Sequence, residues 1–331
     1  MDPFLEAVTD KVPVLQVFSR RIRTGKLSAS QRPVKSRQVE EYLRSIGQTF
    51  LTMGKSDPRL GLSMKIDHRI QRMLRTYSKQ DPPPNRVKPV PVQVLRHITA
   101  IARASNLPFN LAVADMISLA FFFLLRPGEY TVSRSDSSPF LFEDVQLFIG
   151  DHRLDTTHAP IATLRTATFA TLTFTTQKNG VRGEVIGLGR SGCQTLCPVS
   201  SLIRRIIHFR LHNAPPTSPI ARVHTDKWEN VTPSNITLTL RQAVTFLSPA
   251  ALGFLPTDVS ARCLRAAGAN ALQCADVDTD VIRLLGRWRS DEMLRYLHLQ
   301  AAPIMKNFSR DMLRGGSFTL IPNQLVPQQI A

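Results

Sequence analysis

The stretch Asn110–Leu125 constrains the fold more than any other. Wound as a helix it is apolar on nearly every face, so protein must surround it. Asn110 is placed to cap it. Asp115 interrupts the run, which is also shorter than the roughly 20 residues that span a bilayer. It therefore reads as a core helix, and no membrane partner is expected. Its end is abrupt. Pro127 has no N–H to continue the helix and drives the residue before it into extended geometry. Arg126 is that residue, so a cation is delivered where a buried helix stops.

Farther on the period changes. Between residues 160 and 188, Thr171, Thr173 and Thr175 alternate with Leu172, Phe174 and Thr176, and Val181–Leu188 returns. Lys178-Asn179-Gly180 lies between, and Asn-Gly is a strong local sign of a hairpin turn. Helical patterns occupy most of the rest: residues 37–53, 66–77, 92–104, 198–212, 234–247, a helix running to about Ala275 that Asp258 can cap, Val281–Leu285 started by Asp278 or Thr279, one after Ser290, and about 303–313. The fold class expected is mainly α with a small β-sheet or hairpin.

Charge narrows the partner. The chain has 331 residues, with 42 Lys and Arg against 25 Asp and Glu, a net charge of +17. Residues 1–90 alone carry 18 basic and 8 acidic residues. Such an excess points to a polyanion, nucleic acid first. Arg69, Arg72, Arg75 and Lys79 form a cationic flank on the 66–77 helix and are the expected DNA-binding residues. Four cysteines do not make a disulfide scaffold. Neither the Cys193/Cys197 nor the His208/His212 pair stands at a recognised metal spacing, so no metal is expected. No secretory signal opens the sequence, and an intracellular site is expected, nuclear in a eukaryote.

Pro82–Pro84 and the stretch to Pro91 mark the boundary between two parts. The expected organisation is a flexible basic arm over 1–36, a helical DNA-binding domain over 37–85, a linker over 86–92, a larger α+β domain over 93–316 and a tail over 317–331.

Chemistry concentrates in the larger part. Arg262 and Arg265 are three apart and share a helix face near the proposed Asp258 cap. The helix is otherwise small and apolar, and a buried guanidinium needs an anionic or hydrogen-bonding partner. Tyr296 is the tyrosine that follows them. Its pKa, normally near 10, demands activation by cations or a proton acceptor before it can attack. Cations around a tyrosine hydroxyl suit attack on a phosphodiester, whose transition state gathers negative charge on oxygen.

Together these stretches resemble the tyrosine recombinases, the phage-integrase-like family. The resemblance rests on Arg126-Pro-Gly-Glu129, hairpin Lys178, Arg262-Cys-Leu-Arg265, Leu285-Gly286-Arg287, and Tyr296 nine residues after Arg287. Arg-Trp-Arg-Ser-Asp before the tyrosine is closest in style to recombinases of Crypton or DIRS mobile elements. The resemblance implies a two-domain DNA-breaking-rejoining fold. It implies a site-specific recombinase or integrase working on double-stranded DNA as a homotetramer, without cofactor. Tyr296 would form a 3′-phosphotyrosine. Arg126 and Arg265 would hold the phosphoryl oxygens, and Lys178 would protonate the leaving 5′ oxygen. Glu129 would support the site. Arg262 and Arg287 stand where the family usually has histidine, or histidine or tryptophan, and Trp288 can fill the second role. Arginine cannot accept the tyrosine proton, although it can lower its pKa. Two other readings use the same residues: a type IB topoisomerase-like enzyme, and a weak or inactive DNA-binding protein derived from a mobile element.

Overall fold

The computed structural model describes residues 8–61, 63–82, 88–133, 138–175, 183–275, 277–288 and 307–318. The described residues are mainly helical with a small antiparallel sheet, as expected. The chain divides into two compact units, Met1–Asn85 and Arg86–Ala331.

The first unit packs α1 (Val12–Arg23), α2 (Ser36–Thr52) and α3 (His68–Gln80) around Val12, Leu15, Ile22, Val39, Leu43 and Ile70. Here the expectation of a flexible arm over residues 1–36 is corrected. Val12, Leu15, Phe18 and Ile22 recur at helical spacing and bury one face of α1 against α2 and α3. Arg20, Arg21 and Arg23 crowd its last turn and mask that pattern in the sequence. Arg23 closes the segment: it donates to the Val34 carbonyl at 2.6 Å and pairs with Asp81. Asp81 also accepts from the Ser36 N–H at 2.8 Å, so one carboxylate satisfies an orphan donor of α2 and anchors α1.

The second unit is built around α5 (Pro108–Phe122). Every residue from Ala112 to Phe122 is buried, and so are Phe123, Leu124 and Leu125. Each fully buried Phe or Leu contributes about 1.5–3 kcal/mol of transfer free energy, which makes this helix the main source of core stability. Asp115 is tolerated because Arg204 donates to it at 2.9 Å. The helix begins at Pro108, so Asn110 is not its cap; the Asn110 amide bonds the Ser105 hydroxyl instead, at 3.1 Å.

Around α5 lie α4 (Val92–Ser105), α8 (Pro198–Leu211), α9 (Pro233–Phe246) and α11 (Cys263–Cys274). The short helices α6 (Pro127–Tyr130), α7 (Ile161–Arg165), α10 (Pro249–Leu252) and α12 (Thr279–Leu285) connect them, and α13 (Phe308–Gly315) packs on α11. The four-stranded sheet has the order β2-β1-β3-β4, all antiparallel, from β1 (Val145–Ile149), β2 (His152–Leu154), β3 (Phe169–Phe174) and β4 (Glu184–Gly189). β5 (Arg222–His224) and β6 (Trp228–Asn230) form a separate ribbon.

Two contacts position the site. Gly268 lets α11 lie against the last turn of α5: a Cβ there would sit 2.1 Å from the Phe121 carbonyl oxygen. The Tyr130 hydroxyl, fully buried on α6, donates to the Ala261 carbonyl at 2.8 Å. The segment after α5 and the start of α11, far apart in sequence, are thereby locked side by side.

Candidate active site

Leu124 closes α5 in a left-handed turn (φ +50°), and Arg126 follows in extended geometry (φ −78°, ψ 151°). The chain then turns back through α6. The Arg126 N–H donates to Glu129 Oε2 at 2.7 Å, and the Glu129 N–H returns a bond to the Arg126 carbonyl at 2.8 Å. Arg126 Nη1 also reaches Glu129 Oε1, at 2.9 Å. The Arg-Pro-Gly-Glu sequence thus forms a small self-capped turn with its guanidinium partly exposed.

Glu129 holds a second cation. Arg287 Nη2 donates to Glu129 Oε2 at 2.9 Å. Arg287 follows α12 in the left-handed region (φ +54°), which swings its side chain inward. There its guanidinium meets the Phe123, Leu124 and Leu285 carbonyls and lies 3.8 Å from the Phe174 ring centroid. Burial first pulls its pKa down, to about 10, against the opposing pull of Glu129.

Arg265 completes the group. On the first turn of α11, its Nη2 donates to the Gly286 carbonyl and its guanidinium stacks 4.5 Å from the Trp288 ring. A Cβ on Gly286 would meet that ring at 1.8 Å, so the stack depends on glycine at this position. Among the described residues, Arg265 Nη1 is buried and has no hydrogen-bond partner. Burial first, then Arg126 and Arg287, pull the Arg265 pKa down to about 9. Two like charges and a desolvated, unbonded N–H leave this side chain short of negative charge.

The sequence-derived residues thus fall into distinct positions. Arg126, Glu129, Arg265, Arg287 and Trp288 converge through direct contacts or through Glu129 and Gly286. Arg287 is not an exposed cation: its side chain is 3% exposed and paired with Glu129, so it stands behind Arg126. Arg262 does not share Arg265's environment. It precedes the first residue of α11 and is exposed, whereas Arg265 is half-buried. Asp258 does not cap α11 either: it ends the 3-10 turn Pro256–Asp258, where its carboxylate accepts from the Leu255 N–H at 2.9 Å. Lys178 and Tyr296 lie outside the described residues. β3 and β4 do pair as an antiparallel hairpin on either side of the Lys178 segment.

In the first unit, Arg72, Arg75 and Lys79 are exposed on α3. Arg69 differs from these: its guanidinium is paired with Asp67 at 3.0 Å and Asp10 at 2.6 Å within the unit. The Arg69 hydrogen bond holds the Asp67 carboxyl well below its usual range, at about 2.

Sequence reasoning missed Phe174 and Tyr130 as parts of this site. Phe174 had a signal, being an inward residue four positions before Lys178. Tyr130 had none, since its partner is a backbone carbonyl 131 residues away.

Among the described residues, no group of three or more His, Cys, Asp or Glu is arranged to hold a metal ion, and no helix is long and apolar enough to cross a membrane. No family model matches the sequence, and no curated protein is significantly similar to it.

Proposed function

We propose that this chain is a DNA strand transferase of the tyrosine recombinase kind. The observation that supports it best is Arg126, held by Glu129, near Arg265, held by Gly286, with Arg265 Nη1 unpartnered among the described residues. A tetrahedral phosphoryl group offers several oxygens to such donors and supplies the missing charge.

In this reading Arg126 and Arg265 bind the non-bridging oxygens of a DNA phosphodiester. Arg287 holds Glu129 in place, and Trp288 fixes the plane of Arg265. The Tyr296 oxygen attacks phosphorus and its proton leaves to solvent, since arginine accepts none. A 3′-phosphotyrosine forms as the bond to the 5′ oxygen breaks, and Lys178 gives that oxygen its proton. A 5′-hydroxyl from a second strand reverses the step. Phosphodiester bond energy is conserved, so neither ATP nor metal takes part. Lys178 comes four positions after Phe174, at most about 14 Å of chain. The two units correspond in this proposal to a DNA-clamping helical domain and a catalytic domain, with four protomers on two duplexes.

A second reading has its own observation. Arginine stands at positions 262 and 287 and accepts no proton, so neither family-typical proton acceptor is present; Arg287 is moreover buried and paired. A DNA-binding protein with little or no strand transfer fits that arrangement.

The test is covalent trapping on nicked duplexes drawn from DNA flanking the gene. Wild type becomes linked to the 3′ end, Tyr296→Phe does not, and Arg265→Gln is slowed by orders of magnitude. Equal linkage by wild type and Tyr296→Phe rejects the nucleophile. DNA binding with no linkage at all selects the second reading.

A further inference from the structure

A second cationic site lies at the other end of α5. A cleft of about 480 Å³ opens between the start of α5, α8 and the end of β4. Ile203, Ile207 and Leu211 line it from α8 at i, i+4 and i+8, with Leu111 of α5 opposite. This stripe leaves the core as it runs: Ile203 is 5% exposed and Leu211 is 64% exposed. Leu107, just before α5, is exposed by 56%.

The cleft also gathers Arg165, Arg190, Arg204 and Arg205. Neutral groups hold two of them. Arg190 donates to the Ala167 and Arg165 carbonyls at 2.7 and 2.6 Å, and buried Arg205 donates to those of Ile220 and Arg222. Among the described residues, the carboxylate ion-paired with this set is Asp115, on Arg204. Carbonyl partners satisfy N–H groups but leave net charge uncancelled, so the cleft keeps a positive potential beside low-dielectric walls.

We propose that this cleft is a docking site for an acidic segment of a protein partner that inserts two or three large apolar side chains along the Ile203–Ile207–Leu211 stripe. Its carboxylates face Arg165, Arg190 and Arg204. Charge complementarity identifies an anion, and the apolar stripe separates a protein from a nucleic acid. A sugar-phosphate backbone gains nothing from covering Leu211, whereas an amphipathic helix does. The site depends on none of Arg126, Arg265 and Tyr296, so it stands or falls apart from strand transfer.

The experiment titrates the full chain into a fluorescent helical peptide of about 15 residues, roughly four turns. Leucines lie at i, i+4 and i+7 with glutamates beside them. A scrambled peptide of the same composition controls for attraction to a protein of net charge +17. Arg165→Glu and Leu211→Asp alter exposed side chains, and unchanged melting confirms their folding. The patterned peptide binds wild type at least about tenfold more tightly than the scrambled one, and each variant removes that preference. Equal binding of both peptides, or a preference that survives in both variants, overturns the proposal. So does loss of duplex DNA affinity in the variants without any peptide preference, which would make the cleft a nucleic-acid surface.

Discussion

The two units handle arginine in opposite ways. In the first, three less exposed cations are matched by acids: Arg23 by Asp81, Arg59 by Asp57, Arg69 by Asp67 and Asp10. In the second, Arg126, Arg204 and Arg283 also pair with acids, but the most buried cations rest largely on carbonyls and aromatic faces. Arg205 sits on two carbonyls, Arg265 on Gly286 and Trp288, and Arg287 on three carbonyls and Phe174 as well as Glu129. A carboxylate neutralises a guanidinium, whereas a π face or carbonyl orients it and leaves its charge in force. The first arrangement makes a scaffold. The second makes a region that still calls for an anion, and Glu129 is the acid that keeps it assembled.

The largest effect on folding is therefore expected at Glu129. Glu129→Gln leaves Arg287 buried without a counter-charge, and breaking such a pair costs about 3–5 kcal/mol. Chemical denaturation measures it. Asp81→Asn, the matching change in the first unit, lowers stability by less, because water reaches that site. A smaller loss at Glu129 than at Asp81 would erase the distinction between the units.

A second effect follows from pH. His208 Nε2 accepts the His224 N–H at 2.9 Å, which requires a neutral ring. Burial first, then Arg205, His212 and His224, lower its pKa from 6.5 to about 4. The unfolded chain thus binds this proton more readily than the folded one between those values. His208's contribution is complete above pH 6.5 and is lost as pH falls toward 4. Discounted for the ring's partial exposure, the loss is about 1–2 kcal/mol. His208→Gln, which keeps an acceptor and cannot titrate, flattens the profile in that window. An identical profile would show that the arginine-rich surroundings of α8 do not govern it.

Much of this was legible because it is local. The all-round apolar run of α5 declared its burial, and of Asp278 and Thr279, the two candidate starts of α12, Asp278 caps it by accepting from Asp280 and Val281. The Arg-Pro-Gly-Glu turn is likewise a short-range device. What was hidden depends on backbone conformation or on distant chain. Arg287 looks like an exposed catalytic cation until a positive φ turns it inward. Arg69 looks free until Asp10, 59 residues earlier, reaches it. β1, β2 and the β5–β6 ribbon are short and lack a sustained alternation. α1 was hidden by three arginines on an otherwise apolar repeat.

A smaller change in stability tests the aromatic supports. Trp288→Leu removes the π face under Arg265 but keeps an apolar side chain, and about 1 kcal/mol is expected from the lost cation–π contact. Trp288→Phe retains most of it. Thermal unfolding separates the two, and trapping on nicked DNA shows a slower step in the Leu variant. If Leu and Phe behave alike, Trp288 acts only as bulk.

The smallest effect on folding belongs to α3, where the difference between paired and unpaired cations becomes a binding measurement. Arg72, Arg75 and Lys79 are exposed, so replacing all three with Gln leaves melting nearly unchanged. If they contact phosphates, each removed contact lowers the slope of log K against log salt by about 0.9, a total near 2.7. Arg69→Gln is the internal control. Its charge is already spent on Asp67 and Asp10, so the slope holds while stability falls slightly. An unchanged slope in the triple variant removes this face of α3 from the DNA contact. A fall in the Arg69 variant equal to about one contact shows that DNA competes successfully with two carboxylates, and that pairing within the first unit does not withdraw a cation from DNA contact.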